Sequence, residues 1–121
     1  MSFIQRLEQL TGPDRAVANE VLLACGWKNE ISPQGYYWTA PDGRTFDTEW
    51  DDLPNPLESL DAALTLVPQG WLHGLETTRT ENGVYYQWDL WMPKDRLGHF
   101  GKHKHLAIAL CIAALKARGV K

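Results

Sequence analysis

Residues 106–115 of this 121-residue chain read Leu-Ala-Ile-Ala-Leu-Cys-Ile-Ala-Ala-Leu, without one strongly polar side chain. On a helix such a run is apolar nearly all round, so it must be covered on every side and not along one stripe. It is about half as long as a membrane-spanning helix needs to be, which leaves burial inside a globular core. The helix is expected over 102–118, with Lys116 and Arg118 at its negative end and Gly119 beyond. It should be the most buried element, lying across a sheet. A chain of this length builds one core and not two, so residues 1–121 read as a single domain.

The partners of that helix are legible as patterns. Phe3, Ile4, Leu7 and Leu10 recur at helical spacing up to Gly12-Pro13, and Pro13 suits the first turn of a second helix, with Asp14 near its positive end and Gly26 as its stop. From Trp27 the period changes. Residues 36–40 are rich in strand formers, Ala40-Pro41-Asp42-Gly43 suits a type I turn, and 44–47 suits a short returning strand. Residues 48–57 are acidic, contain Pro54 and Pro56, and read as loop. Ser59 is placed to cap a short helix carrying Leu60, Ala63, Leu64 and Val67.

Asn82-Gly83 between 71–80 and 84–92 is the strongest short hairpin signal a sequence offers. Pairing Glu81 with Val84 sets Thr77 opposite Trp88 and Leu75 opposite Leu90. Val84, Tyr86, Trp88, Leu90 and Met92 then form the core face, and Tyr85, Gln87, Asp89 and Trp91 the other. That register also sets Asp89 against Glu76, a destabilising like-charge pair, so either the register differs or a cation lies between them. Residues 93–101 read as a basic loop. Six tryptophans supply large rings for a small core, and most of them are expected inside it. The fold class is α+β: a helix–sheet–helix sandwich with a small antiparallel sheet whose 71–92 hairpin packs on helices.

Charge divides the chain. Residues 1–90 carry 5 basic and 14 acidic side chains, for −9, whereas residues 91–121 carry 7 basic and 1 acidic, for +6. The halves either neutralise each other or present opposite patches to partners. Nothing at the N-terminus reads as a secretion signal. Cys25 and Cys111 sit among apolar residues on expected helices, as buried reduced thiols do.

Catalytic patterns are absent. There is no Gly-x-Ser-x-Gly elbow and no phosphate-cradling glycine motif, and the carboxylates Asp47, Glu49, Asp51 and Asp52 fall in a loop where acids are ordinarily solvated. His99, His103 and His105 invite a metal reading, since imidazoles four apart on a helix can share an ion. Gly101 interrupts that helix, however, and His103 and His105 would point about 200° apart on it. No metal and no cofactor is expected, and the segment reads as a solvated or phosphate-contacting basic edge. Lys94, Arg96, Lys102 and Lys104, with Phe100, have the chemistry for nucleic acid, but overall acidity opposes non-specific binding.

Three blocks occur together in order: Thr11-Gly12-Pro13-Asp14-Arg15 leading to Leu23-Ala24-Cys25-Gly26-Trp27; Ser59-Leu60-Asp61-Ala62-Ala63-Leu64 running on to Val67-Pro68-Gln69-Gly70-Trp71; and the stretch from Leu106 through Ala117-Arg118. As a set they resemble the phage ABA-sandwich domain family of small phage and prophage proteins, over nearly the whole chain. The resemblance implies a helix–sheet–helix sandwich carried by a phage or prophage, and no catalytic residues.

The expectation is therefore a non-enzymatic accessory protein that binds and modulates a host protein in the bacterial cytoplasm, for example a defence system. Its expected interface is Tyr85, Trp91, Lys94, Arg96, Lys102 and Lys104. Asp47, Glu49, Trp50, Asp51 and Asp52 form a second candidate surface, suited to a basic partner. One alternative is a nucleic-acid-binding accessory protein using 94–105. Another is a virion structural or assembly component, which a homo-oligomer would suit. No membrane partner is expected.

Overall fold

The computed structural model describes residues 1–47, 53–94 and 98–121. Within them the chain forms four helices and two antiparallel three-stranded sheets, the α+β class expected. Helices α1 (Phe3–Glu8) and α2 (Arg15–Ala24) lead into a sheet of β1 (Lys28–Ser32), β2 (Gly35–Thr39) and β3 (Thr45–Asp47). Helix α3 (Leu60–Leu64) precedes a second sheet of β4 (Leu72–Thr80), β5 (Gly83–Trp91) and β6 (Gly98–His103), and α4 (Leu106–Ala117) closes the fold.

Side-chain caps start the first three helices. Ser2 and Gln5 form a reciprocal capping box on α1, and Asp14 accepts the Val17 N–H at the start of α2. Asp14 is thus the cap itself, with Pro13 just outside the helix. Ser59 accepts the Ala62 N–H to begin α3, as its position predicts.

Helix α4 is the centre of the molecule. Every residue from Ala107 to Leu115 is buried, so the run without polar side chains is indeed covered on all sides. β5 and β6 lie against it, and α1, α2 and α3 pack around the rest. Trp88 is buried at this contact, and its indole N–H donates to the Leu106 carbonyl at 3.1 Å. Trp27 and Trp38 are likewise buried, while Trp71 and Trp91 are half-buried. Trp50 lies outside the described residues.

The tightest approach is at Gly101. A Cβ there would stand 2.2 Å from the Ala109 carbonyl oxygen, 2.6 Å from the Ala113 nitrogen and 2.8 Å from the Ile112 Cβ. Two of those three atoms are helix backbone, which cannot swing aside. Only glycine lets β6 lie this close to α4.

That contact corrects two expectations. Residues 98–101 are strand and not loop, and α4 begins at Leu106 and not Lys102. The two glycines that read as loop are places where a strand is approached closely: Gly98 by β5 backbone and Gly101 by α4. The hairpin register also differs. Thr80 pairs with Gly83 around Glu81-Asn82, so Leu75 faces Trp88 and Thr77 faces Tyr86. Glu76 now opposes Gln87, and Asp89 opposes Gly74, which removes the like-charge pair. A shift of two keeps every side chain on its expected face.

Strand β1 was not read from the sequence, yet its turn repeats the β4–β5 turn. The Thr80 hydroxyl accepts the Asn82 N–H and donates to the Gly83 carbonyl, and Ser32 does the same with Gln34 and Gly35. Both glycines take positive φ, 124° and 118°, which a side chain disfavours. Ser-Pro-Gln-Gly and Thr-Glu-Asn-Gly are one turn written twice.

Replacing Gly101 with Ala should cost about 3 kcal/mol or more, above the usual range for an added methylene, because backbone opposes it on two sides. Trp88→Ala and Leu110→Ala should each cost about 2–5 kcal/mol, and Gln87→Ala should be nearly silent. Urea unfolding measures all four; a Gly101→Ala protein as stable as the parent would refute the close approach.

Candidate interaction surface

Alternation along β4–β6 assigns its two faces. His73, Leu75, Trp88, Leu90, Gly101 and His103 lie on the side of α4. The other side carries Leu72, Gly74 and Glu76 from β4, Tyr85, Gln87, Asp89 and Trp91 from β5, and Phe100 and Lys102 from β6. No helix among the described residues packs on that outer face. Phe100 and Leu72 are about half exposed, at 51% and 47%, which is unusual for large apolar side chains on one continuous surface.

The face has two ends. At one, Trp91 lies opposite Leu72 and against Gly74, whose missing side chain leaves room for the indole. Phe100 sits beside it on β6, with the Lys116 ammonium 4.8 Å from its ring centre. At the other end, Tyr85 is flanked by two lysines: Lys102 Nζ is 5.3 Å and Lys104 Nζ 5.5 Å from its ring centre. Both distances suit cation–π attraction. Tyr85, Lys102 and Lys104 also line a cleft of about 380 Å³ with Glu8, Leu10, Thr11, His103 and His105.

Two histidines build the wall of that cleft. His103 is buried, and its Nε2 donates to the Leu10 carbonyl at 2.7 Å while its Nδ1 accepts the His105 N–H at 2.9 Å. Both ring nitrogens are thereby occupied, in a single neutral tautomer. His105 Nε2 lies 2.9 Å from the Thr11 carbonyl, and the two rings stand 5.4 Å apart. The helical geometry expected for this pair is corrected: His103 ends a strand and His105 caps α4, so the rings come together and do not diverge. Together they fasten the α1–α2 connection to the sheet. His99 is elsewhere, against Trp71 with ring centres 5.8 Å apart. Among the described residues no group of three or more His, Cys, Asp or Glu is placed to hold a metal ion.

The structure thus brings Tyr85, Lys102 and Lys104 together and sets Trp91 on the same face. Lys94 is exposed just beyond β5, and Arg96 lies outside the described residues. Of the second candidate surface, Asp47 ends β3 on the other sheet, and Glu49, Trp50, Asp51 and Asp52 lie outside the described residues. Sequence reading missed Leu72; it offered Phe100 for nucleic-acid contact alone and His105 only within the metal and basic-edge readings, and placed neither on this surface. The signal for Phe100 was the alternation Phe100, Lys102, Lys104, hidden while that segment was read as loop and helix.

Burial pushes the Cys25 thiol up, and pushes that of Cys111 up further. Cys111 donates to the Pro56 carbonyl at 3.2 Å, and both thiols are buried within the core. No helix among the described residues is long and apolar enough to cross a membrane. Compared with protein-family models, curated proteins and solved structures, the chain matches none.

Burial lowers the His103 pKa from its ordinary 6.5, and the nearby His105 and Lys104 charges act the same way, against the opposing pull of the Leu10 carbonyl. The fold therefore favours the neutral ring. Its contribution is complete above the unfolded-state value near pH 6.5 and is lost as pH falls through the lower folded value. Thermal melts at decreasing pH should show the parent losing stability below about pH 6.5 more steeply than His103→Gln. Parallel profiles would show that His103 does not titrate with unfolding.

Proposed function

We propose that this protein is a non-enzymatic binding module that docks a host protein through the outer face of its second sheet. We read that action as belonging to a bacterial cytoplasm, with a host defence component as the target class, from the resemblance to small phage and prophage proteins. The observation that carries the reading is a face that no helix among the described residues covers: one side of the sheet packs on α4, and Leu72, Trp91, Phe100 and Tyr85 lie on the other. Aromatic anchors bordered by cations are what protein interfaces use for most of their binding energy. The two thiols are buried and both ring nitrogens of His103 are hydrogen-bonded, which supports a binding role over a catalytic one.

A second reading, nucleic-acid binding, is favoured by one observation, the placement of Tyr85 between two lysines. A base could stack on the ring while the ammonium groups meet phosphates. Asp89 and Glu76 on the same face oppose it, because a phosphodiester chain laid along the sheet would pass over both.

The combined change Trp91→Ala, Lys102→Glu and Lys104→Glu tests the choice. None of the three side chains supports α4, so the melting temperature should stay within a few degrees of the parent. Affinity capture from bacterial lysate should yield one host protein in stoichiometric amount with the parent and none with the variant. Salt-sensitive binding of labelled DNA or RNA, without a protein partner, would replace the first reading with the second.

A further inference from the structure

We infer that the cleft beside Tyr85 is an acceptor for a carboxylate side chain, so that the docking partner presents an acidic residue at one end of its contact and an apolar anchor at the other. The inference rests on the docking reading above and names the partner's chemistry. Lys102 and Lys104 converge on one ring, 5.3 and 5.5 Å from its centre, and two like charges gathered there repel each other unless an anion joins them. The ion pairs found among the described residues, Arg6 with Glu20 and Arg44 with Asp42, involve neither lysine. Glu8 lines the cleft but forms no ion pair with them. The positive corner is left to an external group.

The shape of the corner agrees. The cleft holds about 380 Å³ between Tyr85, Leu10, Thr11 and His105, enough for a side chain and its carboxylate. His105 is held by the Thr11 carbonyl and His103 by the Leu10 carbonyl, so the wall is fixed before a ligand arrives and little ordering cost remains. Six residues along β5 lies Trp91, about 20 Å away at strand rise, with Leu72 opposite and Phe100 nearby. Between the ends stand Gln87 and Asp89, joined by a side-chain hydrogen bond of 3.2 Å. A partner with one localised acid satisfies both ends and avoids Asp89. A short acidic segment seated at this corner does not reach Asp89, whereas a phosphodiester chain laid along the sheet passes over it, which sets the acidic peptide above the phosphodiester.

The test is an amide NMR titration of the ¹⁵N-labelled protein with an oligoglutamate and, separately, with an oligothymidylate of equal charge, at about 50 and 200 mM salt. Oligoglutamate should shift the amides of Tyr85, Lys102, Lys104 and His105 at the lower salt. In Lys102→Gln with Lys104→Gln the affinity should fall about tenfold or more, while the remaining amide spectrum stays as in the parent. Absence of shifts at this corner, equal affinity in the double variant, or tighter binding of oligothymidylate overturns the assignment. Host-protein capture by the same double variant separates the two proposals. Capture undiminished in a protein that no longer binds oligoglutamate sinks the carboxylate acceptor alone, whereas a parent that captures no protein sinks the docking reading on which it rests.

Discussion

The fold depends on how closely a strand can approach a helix at one point. Helix α4 carries no polar stripe, so each of its sides needs a neighbour, and a chain of this size has few elements to supply them. β6 covers one side by lying directly on the backbone at Ala109 and Ala113, and Gly101 is the residue that allows it. With alanines on the helix and glycine on the strand, the surfaces meet without intervening side chains. That closeness brings Trp88 of the adjacent strand within hydrogen-bonding distance of Leu106. It also sets His103, two residues on, where it reaches the Leu10 carbonyl. Core closure and the fastening of the N-terminal helices thus follow from one contact.

The same constraint creates the surface. A three-stranded sheet that gives one face to a buried helix has the other left over, and the described residues contain no further layer to cover it. An outer face like this is ordinarily polar. Here it is polar in its middle, at Gln87, Asp89 and Glu76, and aromatic or apolar toward its ends. Leu72, Trp91 and Phe100 contribute little to the core by standing there, whereas a docking partner would bury them.

The sequence carried α2 and α3 well because each announces itself twice, by apolar period and by a polar residue at its start, Asp14 or Ser59, whereas α4 is marked by its apolar run alone and has no side-chain cap to fix where it begins. The faces of β5 were equally legible, since alternation survives a register shift of two. The register itself was not, because it turns on the Thr80 hydroxyl bracing Glu81-Asn82, a side-chain detail that the Asn-Gly pair obscures. β6 was hidden for a different reason. Gly98 and Gly101 read locally as loop, and the long-range fact that justifies Gly101, the backbone of α4, lies beyond any local window. Losing β6 hid that Phe100 shares the outer face with Trp91, while alternation alone placed Tyr85 and Trp91 on one side of β5.

Strand β6 also explains how a small protein can hold an outer sheet face rigid. Gly101 and His103 point to the core, Phe100 and Lys102 point outward, and Lys104 and His105 follow at the strand's end. Each outward side chain is therefore anchored by a neighbour whose position is fixed by helix backbone or by a buried hydrogen bond. Side chains on a strand clamped in this way lose less freedom on meeting a partner than the same residues on a loop. The clamp also keeps the two roles separable, because period-two alternation lets the outward positions vary while the inward ones stay constant. Under the docking reading proposed above, Phe100, Lys102 and Lys104 are the positions that set the partner, and the glycine and histidine are those that hold the strand in place.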